Sequence, residues 1–265
     1  MNAYIKHYLI SVQDKLNYRI DFLFKFFTIF LHLYASVTIW YAIATANSSS
    51  LDETMIADII KYMILASITT NLMIFCTPER EIARRIRTGE IARDLIYPIS
   101  LPITLIFKGL GFATANLISM YIPGFILLSI IYKPAWNLNL INIAGLLIGI
   151  LLGYFIFVLI TLQIEMISFW WIENWYMHYI KHAVFNFLSG TLVPLWFYPE
   201  WLYKILNWLP FKNIVYIPLG FYLNRISLEQ FCIQMALSIF WIILLAGVTF
   251  VIWKAGVKKV VIQGG

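Results

Sequence analysis

Residues 79–94 have the sequence EREIARRIRTGEIARD, which concentrates charge in a chain that is otherwise almost entirely apolar. Hydrophobic residues make up 62% of the 265 residues, and charged residues only 12%. A soluble core of this size cannot bury so much apolar surface, so the composition indicates a polytopic membrane protein. The arginine-rich stretch then predicts a loop on the cytoplasmic side of the membrane.

The apolar runs predict the architecture. A helix needs roughly 20 mostly apolar residues to cross the hydrocarbon core, so we predict an all-α fold with six spans in a single transmembrane domain, residues 1–265. The predicted spans are residues 22–46, 56–76, 103–132, 140–164, 180–198 and 231–253. Apolar residues at helical spacing predict an amphipathic surface helix over residues 1–21. Prolines interrupt residues 199–222, which predicts a re-entrant or interfacial helical hairpin on the outer face, between spans five and six.

The basic residues predict the orientation. With the N-terminus inside, 14 of the 19 lysine and arginine residues fall on the cytoplasmic side. We therefore expect a multi-pass protein of a bacterial plasma membrane with both termini in the cytoplasm. The net charge of +6 is explained by these flanking residues, so we expect membrane lipids and no nucleic acid as partners.

Span four carries a regular row of small residues. Gly145, Gly149 and Gly153 recur at every fourth position and form a face that another helix can approach closely. This face could pack against a second subunit or within the chain, and we favour packing within the chain.

Enzymatic signals are sparse. No G-x-x-x-x-G-K-[ST] sequence is present to bind a nucleotide, so the chain has no P-loop of its own. His178 and His182 are four residues apart and, with Glu173, are the basis of an alternative interpretation as a membrane-embedded metalloenzyme. A secondary carrier is a further alternative, but acidic residues are scarce within the spans, which favours an external energy source.

Short motifs in a fixed order resemble the permease subunits of ABC-2-type transporters. They are YRID (18–21), RTGEI (87–91), LIYPIS (95–100), LSGTLVPL (188–195), YPEWL (198–202) and LPF (209–211). The resemblance implies a six-span half-transporter that dimerises with the same or a homologous chain and binds two P-loop ATPase subunits. Export of an amphipathic or lipid-like substrate is the expected activity, with ATP and magnesium held by the partner and no cofactor or metal in this chain.

The resemblance also implies two functional segments. The cytoplasmic loop of residues 79–98 corresponds to the family's coupling helix, and the hairpin after span five caps the pathway. The expected ATPase-coupling residues are Glu79, Arg80, Glu81, Arg84, Arg85, Arg87, Thr88, Gly89, Glu90, Arg93 and Asp94. The expected residues of the re-entrant gate are Gly190, Pro194, Pro199, Trp201, Pro210 and Pro218. Neither set is catalytic.

Overall fold

The computed structural model describes residues 3–16, 19–46, 53–77, 79–171 and 175–259. These residues form α-helices joined by turns and short 3₁₀ segments, with no β-strand among them, which confirms the all-α prediction. The helices are α1 (Ala3–Leu16), α2 (Arg19–Ala46), α3 (Glu53–Cys76), α4 (Glu81–Arg87), α5 (Glu90–Ile96), α6 (Leu101–Asn116), α7 (Ile122–Tyr132), α8 (Leu140–Met166), α9 (Trp175–Leu188), α10 (Glu200–Leu206), α11 (Tyr216–Tyr222) and α12 (Leu228–Val257).

Five helical stretches in the described part of the chain are long and apolar enough to cross a membrane. They are Phe26–Ile43, Thr54–Ile74, Leu101–Tyr132, Leu140–Phe169 and Leu228–Val257. These stretches coincide with predicted spans one to four and six. The third combines α6 and α7 through a π-helical segment, Leu117–Tyr121. Pro123 follows this segment and has no backbone N–H to donate, which explains the local widening of the helix.

The fifth predicted span, residues 180–198, is not one continuous helix. Helix α9 has 14 residues and therefore extends about 21 Å, less than the roughly 30 Å of a hydrocarbon core. It ends at Leu188 because Gly190 has a φ of +82°, in the left-handed region, and Pro194 follows. The described residues thus contain five long spans and one short helix, and the six-span count is not confirmed.

The predicted hairpin region contains two short helices, α10 and α11, with a 3₁₀ turn at Phe211–Asn213 between them. Every residue of α11 is buried. A Cβ atom on Gly149 would lie 2.6 Å from Pro218 Cγ, and one on Gly153 would lie 2.9 Å from the Ile214 backbone. The glycine face of α8 is therefore occupied by α11 and the turn before it, which confirms the prediction of packing within the chain.

Helix α1 lies against α6. The Tyr4 and Phe107 rings stack with centroids 5.7 Å apart, and the Tyr8 hydroxyl donates to Thr114 Oγ1 at 3.2 Å. The backbone N–H of Ser100 donates to the Tyr4 hydroxyl at 3.1 Å, which places the start of α1 beside the end of residues 79–98. The other end of the chain packs nearby, since Trp253 of α12 joins the apolar cluster around α4 and α5.

Candidate functional site

Residues 79–98, which we call the coupling segment, form two short helices joined by a tight turn. Helix α4 ends and α5 begins around Thr88–Gly89. Gly89 has a φ of +75°, a conformation that glycine adopts without a steric penalty. The turn brings the charged side chains of the two helices within reach of one another.

The inner side of the coupling segment packs against α8. Ile82 and Ile91 are buried and pack with Leu162 and Met166 of α8. Arg85 is also buried, and its guanidinium bonds to Asp94 of α5 and lies 2.9 Å from a Glu81 carboxylate oxygen. These contacts fix the angle between α4 and α5, because a buried guanidinium that lost its carboxylates would be left unpaired.

A largely buried set of ionisable groups lies where the segment meets α8 and α9. It consists of Glu79, Glu165, His178, Lys181 and His182, which we call the ion cluster. Glu79 Oε1 lies 2.6 Å from Lys181 Nζ and 2.9 Å from His182 Nε2. Glu165, which is fully buried, lies 2.8 Å from His178 Nε2. Its carboxylate also accepts hydrogen bonds from the backbone N–H groups of Arg80 and Ile82, at the start of α4.

The ion cluster favours a charged Glu79. Burial by itself raises the pKa of this carboxyl, but the hydrogen bond with His182 and the Lys181 ammonium outweigh it and lower the pKa to about 2. Lys181 Nζ also donates to Thr161 Oγ1 of α8 at 3.0 Å. One ammonium group therefore links the coupling segment to both α8 and α9.

The outer side of the coupling segment carries exposed, charged side chains. Arg84, Arg87, Thr88, Gly89 and Arg93 are exposed. Arg84 makes ion pairs with Glu81 at 3.1 Å and with Glu90 at 2.9 Å, and the hydrogen bond to Arg84 lowers the pKa of Glu90. An apolar edge follows at the end of α5, where Ile96 is 84% exposed and Tyr97 is 58% exposed.

The structure thus brings all eleven predicted coupling residues together but divides them between two sides. The Glu79 and Arg85 side chains make contacts within the chain, and Arg80 does so through its backbone N–H, while the exposed arginines of α4 and α5 face outward.

The metalloenzyme alternative depends on His178, His182 and Glu173, and Glu173 lies outside the described residues. The two histidines do share one face of α9. His178 Nε2 lies 2.8 Å from Glu165 and His182 Nε2 lies 2.9 Å from Glu79, while His178 Nδ1 is 3.8 Å from the same Glu79 oxygen. The Lys181 ammonium occupies the Glu79 oxygen that a metal ion would need. Over the described ranges, no group of three potential ligands has the arrangement of a metal site.

The predicted gate residues are spread over the segment from the end of α9 to α11. Gly190 accepts a 2.8 Å hydrogen bond from the buried Tyr62 hydroxyl, and Pro218 packs on Gly149. Trp201 is 64% exposed on α10. Pro194, Pro199 and Pro210 each immediately precede a short helical element. They shape the turns of the hairpin, and their role as a gate stays a prediction.

A cavity of about 400 Å³ lies between α2, α3 and the end of α9, and we call it the hydroxyl cavity. Thr70 and Thr191 share a 2.8 Å hydrogen bond on its wall, and Ser67 donates to Ser36 at 3.4 Å. Asn186 also lines it, and its side-chain oxygen is buried without a hydrogen-bond partner. The lining combines neutral polar and apolar side chains and carries no acidic or basic side chain other than His32.

Comparison with known proteins gives a family. The family model described as "ABC-2 family transporter protein" matches residues 23–264, nearly the whole chain. The chain belongs to the ABC-2 transporter family. No curated protein and no solved structure shows a significant match to it. The ABC-2 assignment confirms the resemblance of the sequence motifs and identifies the chain as a membrane component of a transport system.

In this ABC-2 protein, sequence reasoning missed the anchoring function of the ion cluster. Glu165 is an acid within a long apolar run, and that isolation was the available signal. Glu79 and Lys181 are 102 positions apart, so their pairing required the fold.

Proposed function

We propose that this chain is the permease subunit of an ATP-driven exporter, energised by ATPase subunits that dock on the outer side of the coupling segment. Two permeases, identical or homologous, would combine with two P-loop ATPases that bind ATP and magnesium. Family membership supports the transport function, and the anchored, outward-charged coupling segment supports the docking site.

The proposal rests on the difference between the two sides of the coupling segment, one attached to the spans and the other exposed and charged. Its inner side is attached to α8 and α9 through buried ion pairs and apolar packing. A movement imposed on the exposed arginines would therefore be transmitted to the spans rather than absorbed by a loose loop. Docking on this surface requires the segment to face the cytoplasm, as the distribution of basic residues indicates.

The hydroxyl cavity supports an amphipathic or lipid-like substrate. Its serine, threonine and asparagine side chains offer neutral hydrogen-bonding groups, and isoleucine, methionine and tryptophan side chains complete the wall. Such a lining suits a ligand with an uncharged polar part and an apolar part, because a buried ion would find no counter-charge there.

The docking proposal is tested by reversing exposed charges. Arg87→Glu and Arg93→Glu should uncouple ATP hydrolysis from transport in reconstituted vesicles while membrane insertion stays unchanged. Lys204→Glu is the matched control, since Lys204 is an exposed cation on α10, outside the coupling segment. Coupling that survives both arginine reversals, or that Lys204→Glu impairs equally, would contradict the docking assignment.

A further inference from the structure

A second cavity, of about 690 Å³, lies between the hairpin and the first half of α12, and we call it the hairpin cavity. It lies near the N-terminal ends of α8 and α12, on the opposite side of the fold from the coupling segment. The Asn142 side chain, near the start of α8, donates a hydrogen bond to Asn224, which shortly precedes α12. This cavity is separate from the ion cluster and from the hydroxyl cavity.

The wall of the hairpin cavity contains a buried cation. Lys212 is 1% exposed, and its ammonium donates a hydrogen bond to Asn207 Oδ1 and lies 5.5 Å from the centre of the Tyr203 ring. No carboxylate in the described part of the chain forms an ion pair with it. A buried ammonium with only neutral partners is costly, so this arrangement favours an anion supplied from outside the chain.

The cavity also contains a polar group without a hydrogen-bond partner. The side-chain oxygen of Gln234 is buried and accepts no hydrogen bond. Gln234 and Lys212 both line the cavity, so a ligand carrying an anionic group and a hydroxyl would satisfy the two residues at once.

The rim of the cavity is apolar and faces outward. Trp208 is 77% exposed, Ile233 is 58% exposed and Phe240 is 55% exposed. In a membrane-spanning chain these side chains contact lipid, so an acyl chain can follow them while its headgroup reaches Lys212.

We infer that the hairpin cavity binds an anionic phospholipid, with the phosphate on Lys212, a headgroup hydroxyl on Gln234 and an acyl chain along Trp208 and Phe240. The site holds the hairpin against α12 through the lipid. It does not depend on the ATPase docking surface or on the identity of the transported substrate.

Native mass spectrometry of the full chain tests the inference, with phosphatidylglycerol and phosphatidylcholine titrated separately. Phosphatidylglycerol should bind the wild type at least about tenfold more tightly, for two reasons. The choline cation of phosphatidylcholine offsets the attraction between its phosphate and Lys212, and only phosphatidylglycerol has headgroup hydroxyls that can donate to the Gln234 side-chain oxygen. Lys212→Gln should abolish the preference and Lys212→Arg should keep it. Lys204→Gln is the matched control, because Lys204 lies on the same hairpin but is exposed and paired with Glu200.

Equal binding of the two lipids by the wild type, or equal loss in Lys212→Gln and Lys204→Gln, would overturn the inference. Competition by inorganic phosphate at comparable concentration would indicate a site for a free anion and would also contradict it. If Lys212→Gln does not fold, brominated lipids provide the test on the wild type. Brominated phosphatidylglycerol should quench fluorescence more than brominated phosphatidylcholine, and Trp208→Phe should remove the difference.

Discussion

Replacing Glu79 by glutamine should destabilise the chain more than any surface carboxylate replacement. Glu79 has a pKa of about 2 against an ordinary value of 4.5, which corresponds to roughly 3 kcal/mol of stabilisation at neutral pH. Burial opposes this stabilisation, and His182 and Lys181 provide it. Glutamine would leave the Lys181 ammonium buried without a carboxylate at 2.6 Å.

For a chain of this size, a loss of roughly 3 kcal/mol lowers the thermal unfolding midpoint by about 6 to 12 °C. The assay is thermal unfolding in detergent at pH 7, followed by circular dichroism. Glu200→Gln is the control, since Glu200 is 81% exposed and paired only with Lys204, and it should shift the midpoint by less than about 2 °C. Equal midpoints for Glu79→Gln and Glu200→Gln would refute the role of the ion cluster as an anchor.

Two other predictions also concern the stability of the fold. The depressed pKa of Glu79 contributes stability that is present above about pH 4.5 and lost as the pH falls toward 2, so wild type and Glu79→Gln should converge in unfolding midpoint across that window. Gly153→Ala should cost about 1–3 kcal/mol, because its Cβ would lie 2.9 Å from the Ile214 backbone, which cannot move cheaply. Gly247→Ala is the control, because no atom lies within 4 Å of the added Cβ, and it should leave the unfolding midpoint unchanged or raise it slightly. An equal loss of stability in Gly153→Ala and Gly247→Ala would contradict the proposed packing of Gly153 on Ile214.

The elements that sequence predicts well are those governed by local pattern. Long apolar runs predict the five long spans, because a run of about 20 apolar residues is enough for a helix to cross the hydrocarbon core. The break at Thr88–Gly89 follows from glycine's access to positive φ. The glycine row of α8 predicts a close approach, although only the fold identifies Pro218 and Ile214 as the atoms that approach.

The elements that sequence predicts poorly depend on tertiary contacts. Residues 180–198 have the composition of a span, but Gly190 and Pro194 end α9 after 14 residues. Arg85 resembles its exposed neighbours in sequence, yet its side chain turns inward to Asp94. Periodicity does not distinguish an arginine that docks a partner from one that holds two helices together.

Purification of the tagged chain from its native membrane in mild detergent, with an assay of vanadate-sensitive ATPase activity, tests the central proposal most directly. We predict a co-purifying P-loop protein and measurable ATPase activity, both lost when Arg87 and Glu90 are reversed in charge. The same preparation would show whether the second permease is a copy of this chain. A single species without ATPase activity would contradict the proposal that a partner ATPase drives this permease.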